Sequence, residues 1–134
     1  MTDSLAAKPI ILVVDDTPDN LKMISAVLKE SYRLKVANNG VKALEIAGGD
    51  PGPDLILLDV VMPGMDGYEV CGRLKGNPRT SAIPVVFMTG RAEAADRERG
   101  LRLGAVDYLT KPVDPAVVLE RVAASLAGTR GESV

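Results

Sequence analysis

Short apolar runs alternate with segments of helical period five times along this chain, and that alternation constrains the fold more than any other feature. Ile10 to Val14 is apolar at every position. Thr17-Pro18 follows, an N-cap residue and a proline suited to a first turn, and then Leu21, Ile24, Val27 and Leu28 recur at helical spacing. Arg33 to Ala37 alternates as a more exposed strand does, and a helix from about Val41 to Ala47 carries Val41, Leu44 and Ile46. Residues 48–54 form a glycine- and proline-rich loop before the third run, Leu55 to Leu58. Asp66-Gly67 opens a helix with Val70, Cys71 and Leu74, closed by Gly76-Asn77-Pro78. Ile83 to Met88 reads as a fourth strand, and Ala92 to Leu103 as a charged helix capped by Gly104. Ala105 to Leu109 is the fifth strand, and Asp114-Pro115 opens a last helix with Val118, Leu119, Val122 and Leu126 on one side. Residues 1–8 and 128–134 read as tails around one domain at 9–127.

Runs that are apolar on both faces imply an α/β fold with a parallel sheet, because right-handed crossovers cover both faces with helices. At 134 residues the chain suits a single domain. With one Phe, three Tyr and no Trp, the core must be built from Val, Leu, Ile and Ala. The formal charge is −2 with no long run of either sign, which gives no reason to expect direct nucleic-acid binding. No apolar segment approaches the roughly 20 residues of a membrane span. The N-terminus lacks the charged start and apolar stretch of a secretory signal, so a cytoplasmic location is expected. The single Cys71 cannot form an internal disulfide and reads as a small buried hydrophobe. The absence of histidine excludes Ser–His and Cys–His pairs and imidazole ligands. Carboxylates, lysines, hydroxyls and a hard metal ion remain.

In open parallel sheets, ligands bind beyond the carboxyl ends of the strands, where the strand order reverses. The polar residues expected there are Asp15 and Asp16 after the first strand, Asp59 at the end of the third, Thr89 after the fourth and Lys111 after the fifth. Singly each is ordinary. An acid pair before a helix caps it, although Thr17 is the better cap, and a lone Thr or Lys is commonplace. Together they are not. Two carboxylates about 4 Å apart repel by about 4 kcal/mol at an effective dielectric near 20, a large share of a domain's stability. A lysine and a hard divalent cation compensate, and an all-oxygen donor set favours Mg²⁺, which fills its other positions with water or phosphate oxygens. A carboxylate in that setting is a nucleophile for phosphorus. Lys111 would face the phosphoryl group with a positive charge and Thr89 with a hydroxyl.

These residues lie within "ILVVDD" (11–16), "PDLILLDVVMPGMDGYEV" (53–70), "VVFMTG" (85–90) and "GAVDYLTKP" (104–112). In that order and spacing the chain resembles a receiver domain of the bacterial two-component response regulators, from about Ile10 to Leu126. The resemblance implies a flavodoxin-like (βα)5 fold with a five-stranded sheet ordered 2-1-3-4-5. It implies Asp59 as phosphoacceptor. It also implies that Asp16, Asp59 and the backbone carbonyl of Val61 ligate Mg²⁺ directly, with Asp15 acting through water. Thr89 would be the switch hydroxyl, Lys111 the phosphoryl-binding lysine, and Tyr108 the aromatic that turns inward as Thr89 moves. A cis Lys111-Pro112 bond is also implied. Val61 and Arg91 flank the path of an attacking water and would tune hydrolysis, apolar Val61 favouring a long-lived acyl phosphate, while Gly90 leaves access open. The implied partners are a sensor histidine kinase or histidine phosphotransfer protein. An effector domain or protein would dock on the fourth-helix, fifth-strand, fifth-helix face, with Arg91, Glu93, Arg97, Arg102 and Tyr108. No turnover substrate other than its own phosphoryl group is expected.

Three other readings are weaker. A haloacid-dehalogenase-type aspartyl phosphatase needs a second acid two positions after the nucleophile, where Asp15 and Asp16 are followed by Thr17 and Pro18. A flavin-mononucleotide module needs a hydroxyl- and glycine-rich first loop, and "DDTPDN" would repel the phosphate. A pseudo-receiver that docks without being phosphorylated would be expected to lack a member of the site. The "DDTPDNL" and "DGYEVCGRLK" segments also resemble receivers that precede domains making or hydrolysing cyclic dinucleotides.

Overall fold

The central strands are apolar up to their carboxyl ends because both of their faces are covered. The computed structural model describes residues 8–90 and 94–131. Among them, five strands alternate with five helices: β1 (Ile10–Val14), α1 (Pro18–Leu28), β2 (Arg33–Ala37), α2 (Gly40–Ala47), β3 (Leu55–Asp59), α3 (Gly67–Lys75), β4 (Val85–Thr89), α4 (Ala94–Arg102), β5 (Asp107–Thr110) and α5 (Pro115–Gly131). All neighbouring strands are parallel, in the order β2-β1-β3-β4-β5, as expected.

Successive strand residues point to opposite faces, so each run feeds two cores. Leu12, Val14, Ile56, Leu58 and Phe87 pack with Ala43, Ala47, Val70, Cys71 and Leu74 from α2 and α3. Ile11, Val13, Leu55, Leu57, Val86 and Met88 pack with Ile24, Leu28, Val118, Val122 and Leu126 from α1 and α5. β2 is the half-exposed edge strand expected, but the alternation does not hold to its end, because Val36 is 48% exposed and Ala37 is buried. The chain leaves β1 for β2 on one side and crosses to β3 on the other, so the crevice lies beyond Val14 and Asp59.

Several boundaries and faces differ from the sequence reading. β4 starts at Val85, because Pro84 has no N–H to give to a ladder. β5 starts at Asp107, because the Ala105 amide donates to Gly100 O at 3.1 Å and Gly104 to Leu101 O at 3.0 Å, a Schellman closure of α4. Gly104, at φ +107°, is the expected cap. α5 runs to Gly131, past the expected boundary at Ala127, since no proline follows Leu126 to stop it. On α5 the buried residues recur every four positions, Val118, Val122 and Leu126, leaving Leu119 one helical step round and exposed. On α2 the small residues Gly40, Ala43 and Ala47 face the core, Leu44 and Ile46 are partly buried, and Val41 is exposed. A Cβ at Gly40 would stand 2.8 Å from Val70 Cγ2, so the α2–α3 approach selects small side chains. Ala92, Arg91 and Glu93 lie outside the described residues.

Candidate functional site

β1 delivers Asp15 to the crevice with its amide hydrogen-bonded to Ala37 O (3.1 Å), so the backbone there is anchored to the edge strand. Thr17 holds the N-cap position of α1, but its side chain makes no capping bond. Instead Asp15 Oδ1 accepts the Thr17 N–H at 2.9 Å, which corrects the expectation that Thr17 caps and leaves both acids over. Asp15 Oδ2 is fully buried. It lies 3.0 Å from Lys111 Nζ, outside hydrogen-bonding geometry. Asp59, 2% exposed, closes β3 with Oδ1 at 3.1 Å from the same Nζ. The Lys111 amide donates to Thr89 O at 2.7 Å, which ties the end of β5 to the end of β4. Lys111–Pro112 is cis, as the resemblance implies, and so is Asp50–Pro51.

Carboxylate oxygens of Asp15, Asp16 and Asp59 all lie within 4.8 Å of one another, with Asp16 on the exposed side. Burial, then the charge of Asp15, lift the Asp59 carboxyl from its ordinary value to about 6, against the pull of Lys111. Burial alone would lower Lys111, but Asp15 and Asp59 outweigh it and hold the ammonium above its usual range. A buried carboxylate oxygen without a hydrogen-bond donor, in a cluster of three acids with no His or Cys, fits a hard divalent cation.

A pH dependence follows for the metal-free protein. Asp59 holds a proton in the folded state that the unfolded chain has released, so this group's contribution to stability falls as pH rises from about 4 to about 6. Denaturant melts at pH 4.5 and 7 should show that loss, and millimolar Mg²⁺ should restore stability at pH 7. A metal-free protein whose stability does not fall across that range contradicts the assigned burial of Asp59.

Thr89 is 2% exposed and shares a cavity wall with Tyr108. Tyr108 is already inward, 5% exposed, and so contributes no open surface to the face assigned to it. The sequence reading gave no role to Tyr68, whose hydroxyl is 3.0 Å from that of Tyr108, nor to Arg99, whose guanidinium lies 4.1 Å over the Tyr68 ring. A signal was present, since the chain has only four aromatic residues and one follows Asp66-Gly67 directly. Val61 stands at the mouth, 65% exposed. Among the described residues, nothing lies within 4 Å of a Cβ built at Gly90, which is exposed.

The profile of the response regulator receiver domain matches residues 11–123. Response regulator PleD of Caulobacter vibrioides is 49% identical over 113 residues, 84% of this chain and 25% of that protein. A Vibrio cholerae protein named "Probable cyclic di-GMP phosphodiesterase" is 47% identical over 124 residues, 92% of this chain and 28% of that protein. The chain thus spans about a quarter of the length of these relatives. It is also similar to the solved receiver domain of the sensor histidine kinase PA1611 from Pseudomonas aeruginosa, which holds a magnesium ion in its active-site cleft. That likeness is 30% identity and a TM-score of 0.81, over 90% of this chain and 98% of the other. Strand order, acidic crevice and matched span agree, and the chain belongs to the response regulator receiver domain family.

Proposed function

We propose that this receiver accepts a phosphoryl group on Asp59 from a phosphohistidine of a sensor histidine kinase or a histidine phosphotransfer protein, in the cytoplasm. The observation that carries the reading is the buried Asp59 carboxylate at the end of β3, 3.1 Å from Lys111 Nζ and within a three-acid cluster. An Asp59 oxygen attacks phosphorus while the P–N bond breaks. The bonding pair leaves with the imidazole, which takes up a proton, and an acyl phosphate remains. Asp16, Asp59 and the Val61 carbonyl would hold Mg²⁺, with Asp15 acting through water. Bound there, Mg²⁺ supplies positive charge against the phosphoryl oxygens. Lys111 moves its charge from the two acids to the phosphoryl group, and Thr89 gives its hydroxyl to one of the oxygens. The exposed, apolar Val61 cannot orient a water, which favours a long-lived acyl phosphate, with Arg91 as the second tuning position. The domain turns over no other substrate.

Phosphorylation adds about −1.5 to −2 of charge and shifts the loop after β4 and the α4–β5–α5 face. That face offers exposed Arg97, Arg102, Leu101 and Val106 to an effector domain or protein. The sequence reading had not included the two apolar residues. Support for an attached effector comes from the longer relatives. Support for a separate one comes from protein PilH of Pseudomonas aeruginosa, 40% identical over 88% of this chain and 98% of its own length.

Intact mass after incubation with acetyl phosphate and Mg²⁺ tests the reading. One added phosphoryl group is expected with the metal and none with a chelator, and peptide mapping should place it on Asp59. No gain in either arm would leave a docking pseudo-receiver instead.

A further inference from the structure

The tyrosine pair beside the site is built so that one ring holds the other. Tyr68 sits in the first turn of α3, where Asp66 caps the helix by accepting the Glu69 N–H at 2.9 Å. Its ring meets Phe87 edge-on, centroids 5.2 Å apart, and Arg99 lies over its face. These contacts from β4 and α4 fix where its hydroxyl points. Phe87 in turn meets Tyr108 at 5.9 Å and 60°. α4 comes close to both rings because residue 100 has no side chain. A Cβ there would stand 2.9 Å from Phe87 Cδ2 and 3.2 Å from Tyr108 Cε2.

Packing does not close the other side. A cavity of about 240 Å³ opens between the rings and the crevice, with Val61, Thr89, Asp96 and Arg99 among its walls. A ring bordering such a space has room to leave, so hydroxyl bonds matter for keeping it in. The Tyr108 hydroxyl bonds that of Tyr68 at 3.0 Å, and Thr89 lines the same cavity. When Thr89 turns toward a phosphoryl oxygen, the bond between the Tyr68 and Tyr108 hydroxyls does not depend on it. Burial and the Tyr68 bond both hold the Tyr108 phenol in its protonated form, well above the usual tyrosine range, so it remains able to donate.

We propose that Tyr68 is a positioning residue that seats Tyr108 inward before phosphorylation, so that in this chain Thr89 moves against a ring already in place. The inference rests on the receiver switch proposed above. Its consequence is a switch whose resting point is set by α3. The surface at β5 is part-way to its phosphorylated arrangement, and phosphorylation changes it less than a free ring would.

The chain's three tyrosines make the test direct. Protein labelled with 3-fluorotyrosine gives three ¹⁹F resonances, assigned from Tyr32→Phe, Tyr68→Phe and Tyr108→Phe. In the wild type with Mg²⁺ alone, the Tyr108 resonance should lie far from the denatured position and move little on adding acetyl phosphate. In Tyr68→Phe it should shift toward the denatured position and broaden, reflecting about a fivefold fall in the inward-to-outward ratio, the size one net hydrogen bond gives. Adding acetyl phosphate should then move it back. A Tyr108 resonance unchanged by Tyr68→Phe at rest means that packing alone seats the ring and overturns the proposal. If Tyr68→Phe fails to fold, the Tyr68 resonance in Tyr108→Phe reads the same bond from its other end, and an unmoved signal is equally fatal. The resting arm needs no phosphorylation, so a protein that takes up no phosphoryl group yet shows the resting shift sinks the receiver reading and leaves the tyrosine contact standing.

Discussion

Asp59→Asn is expected to take up no phosphoryl group from acetyl phosphate and Mg²⁺, and yet to be the more stable protein when metal is absent. Both effects come from one oxygen. The amide keeps the shape of the side chain and can still face Lys111, but it offers no anionic nucleophile to phosphorus. Removing the charge also ends a conflict. The wild-type carboxyl is driven up to about 6 chiefly by burial and the neighbouring Asp15 charge. A carboxyl raised by about 2 units costs about 3 kcal/mol at pH 7, and repacking of Lys111 onto Asp15 alone offsets some of that, so a gain of about 1–3 kcal/mol is expected. Three readouts should move together in urea melts: a higher midpoint, a flatter pH dependence between about 4 and 6, and a smaller stabilisation by Mg²⁺. An Asn variant less stable than wild type would mean that Asp59 is held by favourable bonds in place of being strained. An Asn variant that still gains a phosphoryl group would move the acceptor elsewhere.

The site was legible because its members occupy positions that the fold rule singles out. Once Ile10–Val14 and Leu55–Asp59 are strands of one parallel sheet, the residues at their ends must meet, whatever the helices do in detail. The same logic located Lys111, whose amide is tied to Thr89 O. The helix faces were less legible, because helical period fixes a stripe but not its width or the side chains that suit it. α2 turns Gly40, Ala43 and Ala47 inward and Val41 outward, since the distance between α2 and α3 is set by Val70 and the absence of a Cβ at Gly40. Nothing local to α2 carries that information. Asp15 was misjudged for a related reason. A cap is normally sought at the N-cap residue itself, while here the acid two positions earlier takes the Thr17 amide. Tyr68 was passed over because its hydroxyl partner is 40 residues away, and only the packing of α3 beside β4 and β5 brings the two together.

Gly67→Ala is expected to be among the most damaging small changes in the chain, against the ordinary preference for alanine over glycine in a helix. A Cβ at Gly67 would sit 2.3 Å from the backbone oxygen of Asp59 and 2.8 Å from Val60 Cα. Neither atom belongs to a flexible side chain. The Asp59 carbonyl is on a central strand. The adjoining turn is fixed by the Val60 amide donating to Met88 O at 3.0 Å and the Gly67 amide donating to Val60 O at 2.8 Å. To admit a methyl group, α3 must back away from β3 or the end of β3 must yield, and the second option displaces Asp59 itself. Overpacking against side chains typically costs about 1–3 kcal/mol. Against fixed backbone the cost belongs at or above the top of that range, with slower phosphoryl uptake in whatever folds. Gly72→Ala supplies the comparison within the same helix. That position is exposed, with nothing inside 4 Å of its Cβ, so the change should stabilise by about 0.5–1 kcal/mol. Opposite signs for two glycine-to-alanine changes five residues apart would show that close approach to β3, and not helix propensity, dictates glycine at 67. Equal and mild effects would mean that α3 does not press on the strand carrying Asp59, and the claim that α3 sets the resting point of the switch would weaken with it.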